Sequence, residues 1–240
     1  MTPASAHDAP RKLVWHLMWL PLLLVLAPLL FLDAATYRRV IFSELGIVEN
    51  LTVVLFVVPT AIIGFQVARL YASKGERLAA LMFYLFAAGC IFIAGEEASW
   101  GQHWLGWSTP EPLQQVNLQK ETNIHNTVYF PKRLIKWILT LGIFIIGVLL
   151  PWKLKDRLAG TRLAFLRHLS PEPWTIPMAL FVVITFIMRK LVKSAGLLPN
   201  LEPSEYGIRV AEVHELYIAI YFMLYAWSML RQARALRARA

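Results

Sequence analysis

Repeated apolar runs of transmembrane length constrain this chain more than any motif does. Six of them run near 13–32, 47–70, 78–98, 134–150, 174–192 and 213–230. Roughly 20 apolar helical residues cross a bilayer's hydrocarbon core. Inside lipid every backbone group must be satisfied within its own segment, which favours helices. The predicted fold class is therefore all-α: a polytopic membrane protein with about six transmembrane helices. With 58% hydrophobic and 16% charged residues, the 240-residue chain is too apolar for an ordinary soluble domain. No linker, low-complexity stretch or internal repeat divides it, so residues 1–240 read as a single transmembrane domain.

The polar N-terminus, Met1 to Pro10, reads as loose. Arg11-Lys12 before the first run suggest a signal peptide, but about 20 apolar residues exceed the usual 7–15. The run reads as a retained helix, kinked at Pro21 and Pro28. Pro59 predicts a mid-span kink in the second run, and Pro151 is expected to close the fourth. The single cysteine, Cys90, excludes an intrachain disulfide or a cysteine metal cluster.

The net charge of +9 lies in short connections and at the termini, including the C-terminal RQARALRARA. That distribution points to anionic membrane lipids and excludes nucleic acid as a partner. Counting basic residues by side places both termini in the cytoplasm of a bacterial inner membrane, although Arg189, Lys190 and Lys193 fall on the opposite side. Packing against a second copy or another membrane protein is compatible with the aromatic spans.

Between the third and fourth runs lies GEEASWGQHWLGWSTPEPLQQVNLQKETNIHN, residues 95–126. Ser108 or Thr109 can cap a helix with Pro110, Glu111 and Pro112 in its first turn. An interfacial or re-entrant helix is expected near 110–127. On it Asn117, Glu121, Ile124, His125 and Val128 would share one face. Trp100, Trp104 and Trp107 read as interfacial anchors rather than as a substrate cage.

Span parity delivers Glu44, Glu49, Glu96, Glu97, His103, Glu121, His125, Glu212, His214 and Glu215 to one membrane face. Several carboxylates in a partly dehydrated site require raised pKa values or a bound cation. A mixed Glu/His set suits a divalent metal, zinc, iron or manganese. The expected ligands are Glu97, Glu121, His125 and Glu212, with Glu96 or Glu215 left as general base. Glu49, Asn50, Ser99, Gln102, His103, Asn117 and His214 are expected around the ligands or the substrate. Glu44 reads as an ordinary solvated helix-end acid. A structural polar network and a cation or proton pathway remain open beside the metal reading.

The strings SELGIVENLTV and GEEASWGQHWLGWSTPE…NLQKETNIHN resemble a family of multi-pass bacterial membrane proteins with GEExSWGQ and NxQxExNxHN segments. That resemblance implies a multi-pass fold and lends no reaction. A weaker similarity is to the alkaline-ceramidase-like intramembrane hydrolases, which bind zinc at one membrane face. The chain departs from them in its span number and in lacking a paired HxxxH in the last span. Together these readings predict a metal-dependent membrane hydrolase acting on a lipid or lipid-linked substrate at the periplasmic leaflet. The alternatives are a non-catalytic subunit of a membrane complex and a cation or proton carrier.

Overall fold

The computed structural model describes residues 5–158, 160–194 and 208–238. It is all-helical, with no β-strand among those residues. Six helices are long and apolar enough to cross a membrane: Pro10–Leu30, Ile47–Ala72, Arg77–Glu97, Leu134–Arg157, Pro173–Leu191 and Val210–Leu236. Helix begins at Ser5, inside the terminus expected to be loose, because Pro10 falls in the early turns of Ser5–Leu26 and does not stop it. The connection from 195 to 207, with the residues at both chain ends, lies outside the described residues.

Pro59 and Pro151 fall in widened, π-helical segments and do not end their spans, whereas Pro28 lies in a 3₁₀ turn after the first helix. Phe56–Ala61, around Pro59, is a π-helical segment. Pro59 has no N–H for the Leu55 carbonyl four residues back. The π-helical register shifts the backbone donor to the next residue, and Thr60 Oγ1 also donates to that carbonyl at 2.7 Å. Pro151 likewise sits inside a π-helical stretch, Ile145–Leu154. The fourth span therefore continues to Arg157 instead of closing at Leu150.

The sixth span is the hub. Of its most apolar window 78% is buried, against 17% for the first span, which lies at the periphery. A helix apolar on all sides belongs in the centre of a bundle. Phe222 meets Phe56 and Phe86 edge-on or tilted, and Tyr225 contacts Phe83 and Phe86. Its tyrosines keep partners: Tyr217 donates to the Met18 carbonyl at 2.8 Å and Tyr225 to that of Leu169 at 3.0 Å. The helix outruns the expected 213–230 because the charged residues at both ends find partners while remaining helical: Glu212 pairs with Arg209, and Arg231 with Glu172.

Candidate metal centre

The third span stops abruptly after Glu97. Ser99, Trp100 and Gly101 take φ of 44°, 55° and 91°, three consecutive left-handed residues. For the two non-glycine residues this costs roughly 1–3 kcal/mol each, so the surroundings must hold them there. They do. The Trp100 ring lies over Gly95, where an added Cβ would come within 2.8 Å of it. Trp100 Nε1 donates to Glu96 Oε1 at 2.8 Å. The other oxygen, Oε2, accepts the backbone N–H groups of Ile124 and His125, both at 2.7 Å. Glu96 is 3% exposed and ties the end of the third span to the connection that follows.

That connection is not the long helix expected near 110–127. Only Glu111–Val116 is helical. Asn117 leaves the helix with φ −91° and ψ 122° and pairs with Thr127 in an isolated antiparallel bridge. The asparagines supply the reason, since their side chains offer the backbone alternatives to helix. Asn117 Oδ1 accepts from the Gln119 and Glu121 amides, and its Nδ2 donates to the Asn123 carbonyl at 2.7 Å. Asn126 N donates to Asn123 Oδ1, and Asn126 Nδ2 to Gln119 Oε1. Gln102 Oε1 accepts from Thr122 N at 2.7 Å and from Thr109 Oγ1 at 3.1 Å. The predicted line Asn117, Glu121, Ile124, His125, Val128 is lost, and a tight hydrogen-bonded loop takes its place.

The loop exists to hold Glu121. This carboxylate is buried. Its Oε2 accepts from Ser99 Oγ at 3.0 Å, Asn123 Nδ2 at 2.7 Å and Asn126 Nδ2 at 3.3 Å. Its Oε1 faces His103 Nε2 at 3.4 Å, and that nitrogen is 3.9 Å from Glu44 Oε2. His103 Nε2 is itself buried and has no hydrogen-bond partner. Glu44 reaches the site through the turn at Gly46, where an added Cβ would come 2.7 Å from the Ile41 and Ser43 carbonyl oxygens.

Among the described residues, Glu44, His103 and Glu121 form the group of three whose ligand atoms all lie within 4.8 Å of one another. Two ligands about 2.0–2.2 Å from a tetrahedral zinc stand roughly 3.3–3.6 Å apart. The separations of 3.4 and 3.9 Å are close to that. Three ligands of this kind could hold a divalent ion.

Further carboxylates lie beside the triad. Glu49 is within electrostatic reach of Glu44, Glu212 and Glu97, and Glu97 is within reach of Glu215, Glu212 and Lys136. The cations here are committed. Lys136 Nζ is 2.7 Å from Glu215, and Arg209 is 2.7 Å from Glu212 and 3.9 Å from Glu44.

The expected ligand set Glu97, Glu121, His125 and Glu212 does not assemble as a group. Only Glu121 belongs to the triad. His125 Nδ1 is 3.5 Å from Glu96 Oε2, and Glu212 is drawn to Arg209. Of the two expected general bases, Glu96 is engaged by three N–H donors and Glu215 by Lys136. Ser99 Oγ donates to Glu121 Oε2, Asn117 Oδ1 accepts from the Glu121 amide, and Gln102 Oε1 accepts from the amide of the next residue, Thr122. Asn50 Oδ1 accepts from Trp104 Nε1 at 3.0 Å. His214 is elsewhere, with Nε2 3.1 Å from the Val182 carbonyl. Glu44 and His103, which complete the triad, are not among the expected ligands; the signal available for both is span parity, which places them on this face.

Comparison with known protein families, curated proteins and solved structures found no match to this chain.

Proposed function

We propose that the chain is a divalent-metal-dependent hydrolase of the bacterial inner membrane. It acts on an ester, amide or phosphoester of a lipid or lipid-linked substrate at the periplasmic leaflet. The observation that carries this reading is the convergence of Glu44, His103 and Glu121, from three separate segments, with ligand atoms within 4.8 Å of one another. Three protein ligands leave a fourth position open, the arrangement of catalytic rather than structural zinc sites. An ion held there supplies a water acidified to near neutral pH.

Glu49, within electrostatic reach of Glu44, would be the neighbouring carboxylate to exchange a proton with such a water, in place of Glu96 and Glu215. Lipid as the substrate source follows from the surroundings. Trp104, Leu105 and Tyr129 in the loop are 52%, 75% and 80% exposed, which suits immersion at a bilayer surface. The periplasmic assignment rests on the basic residues of the opposite face, which the positive-inside rule puts in the cytoplasm.

Metal analysis of protein purified in nanodiscs tests the reading. Wild type is expected to carry about one zinc, iron or manganese per chain, and His103→Ala and Glu121→Gln little. Wild-type protein that remains metal-free after incubation with each ion would overturn it. Buried hydrogen bonding of Glu121 Oε2 favours a structural network as the second reading. In that case Glu121→Gln should lower thermal stability without changing metal content.

A further inference from the structure

An open groove of about 620 Å³ runs between the Glu121 loop and the start of the fourth span. Leu118, Thr127, Val128, Phe130 and Pro131 of the loop and Leu134 and Trp137 of the span line it. Its size falls within the roughly 300–1,000 Å³ of small-molecule sites. None of these lining residues is charged, and the hydroxyl of Thr127 is already donated to the Ile124 carbonyl at 2.8 Å. The groove therefore offers dispersion contact and little hydrogen bonding.

Its position joins two environments. Leu134 opens a membrane span, so the groove lies at the depth where acyl chains begin. Both walls are also chain neighbours of residues at the acidic site. Leu118 and Thr127 directly follow Asn117 and Asn126, which hold the Glu121 loop and its carboxylate. Trp137 follows Lys136, whose ammonium is bound to Glu215. The Trp137 ring stands edge-on against Phe186 of the fifth span, with centroids 5.0 Å apart, which stiffens that wall.

We infer that this groove holds one acyl chain of the substrate, with the polar end of the lipid directed at the carboxylate cluster. The inference rests on the hydrolase reading and narrows its substrate class to acyl-chain lipids.

The probe is a phosphatidylcholine carrying a diazirine on one acyl chain, added to the full chain in nanodiscs, with photo-crosslinks mapped by mass spectrometry. Crosslinks at residues 127–137 are expected to exceed those at the comparably exposed Leu23 and Leu85 by about tenfold, an occupancy difference worth roughly 1.4 kcal/mol. Val128→Trp or Leu134→Trp, each filling the groove, should remove that excess without altering bound metal. Crosslinks spread in proportion to exposure overturn the inference, as does an excess indifferent to both tryptophan variants. A covalent link between two copies of the chain through the groove overturns it as well. Metal content measured on the same samples separates the two proposals. A labelled groove in metal-free protein removes the hydrolase reading and leaves an acyl-lipid site, whereas metal without selective labelling removes the groove alone.

Discussion

The two polar ends of the bundle are built on opposite plans. At the basic end, Glu172 and Glu76 each have a basic partner. Glu172 Oε2 lies 3.3 Å from Arg231 and accepts from Trp174 Nε1 at 3.0 Å, and Glu76 lies 3.5 Å from His168. The neighbouring loop is tied down by Tyr71, which donates to the His168 carbonyl, and by Gln232, which donates to that of Ser170. At the acidic end Glu44, Glu49, Glu97, Glu121, Glu212 and Glu215 share Lys136, Arg209 and His103. Matched pairs serve stability, and a surplus of one sign is tolerated only for a ligand or a shared proton. That difference is what the proposed metal site at the acidic end draws on.

Substitutions that treat the two ends alike should break that contrast if it is wrong. The largest effect is expected on metal affinity. Glu121→Gln should weaken it by at least roughly 100-fold, the upper end of what even supporting residues cost, whereas Glu172→Gln should leave it unchanged. Titration by calorimetry reads both.

Next in size is Glu96→Ala, which strands the Ile124 and His125 amides at about 1–3 kcal/mol for each group left unsatisfied. Hydrogen exchange of residues 121–127 should accelerate while the spans stay protected. Equal acceleration throughout would mean that Glu96 supports the whole bundle instead.

A smaller difference separates the lysine from the arginine. Lys136→Met leaves Glu97 and Glu215 without their nearest cation and should lower the midpoint of thermal unfolding more than Arg231→Met. Both ion pairs are partly exposed and each by itself is worth about 0–1 kcal/mol, so the expected difference comes from the second carboxylate, Glu97, that Lys136 also faces. Equal shifts would erase the electrostatic distinction between the ends.

The smallest expected effect is Thr60→Val, which removes the Oγ1 hydrogen bond to the Leu55 carbonyl and should cost about 1 kcal/mol. It belongs to neither end and calibrates the others.

Much of the bundle was legible in the chain because hydrophobic length is a local property. The six apolar runs appear as six helices, and the second, third and fifth lie within a few residues of the expected bounds. Pro151 misled because a proline's local cost is absorbed by a π-helical stretch that periodicity does not register. The loop from Asn117 to Asn126 misled for a related reason. Its residues fit a helical face by spacing, yet each asparagine carries a donor and an acceptor that can bond the backbone out of the helix. Which alternative wins depends on partners far away in sequence, Glu96 and Ser99 among them.

Sequence alone determined that the chain carries six runs able to span a membrane as helices and that one set of its acids and histidines, from Glu44 to Glu215, falls at one end, since hydropathy and alternation of direction need no knowledge of contacts. Only the tertiary structure decided which of them meet. Glu44, His103 and Glu121 come together because a left-handed turn at Ser99 and Trp100, locked by Glu96, folds the loop back over the end of the second span. A choice among near-equal hydrogen-bonding arrangements of that kind is settled by long-range contacts, which a linear pattern does not contain.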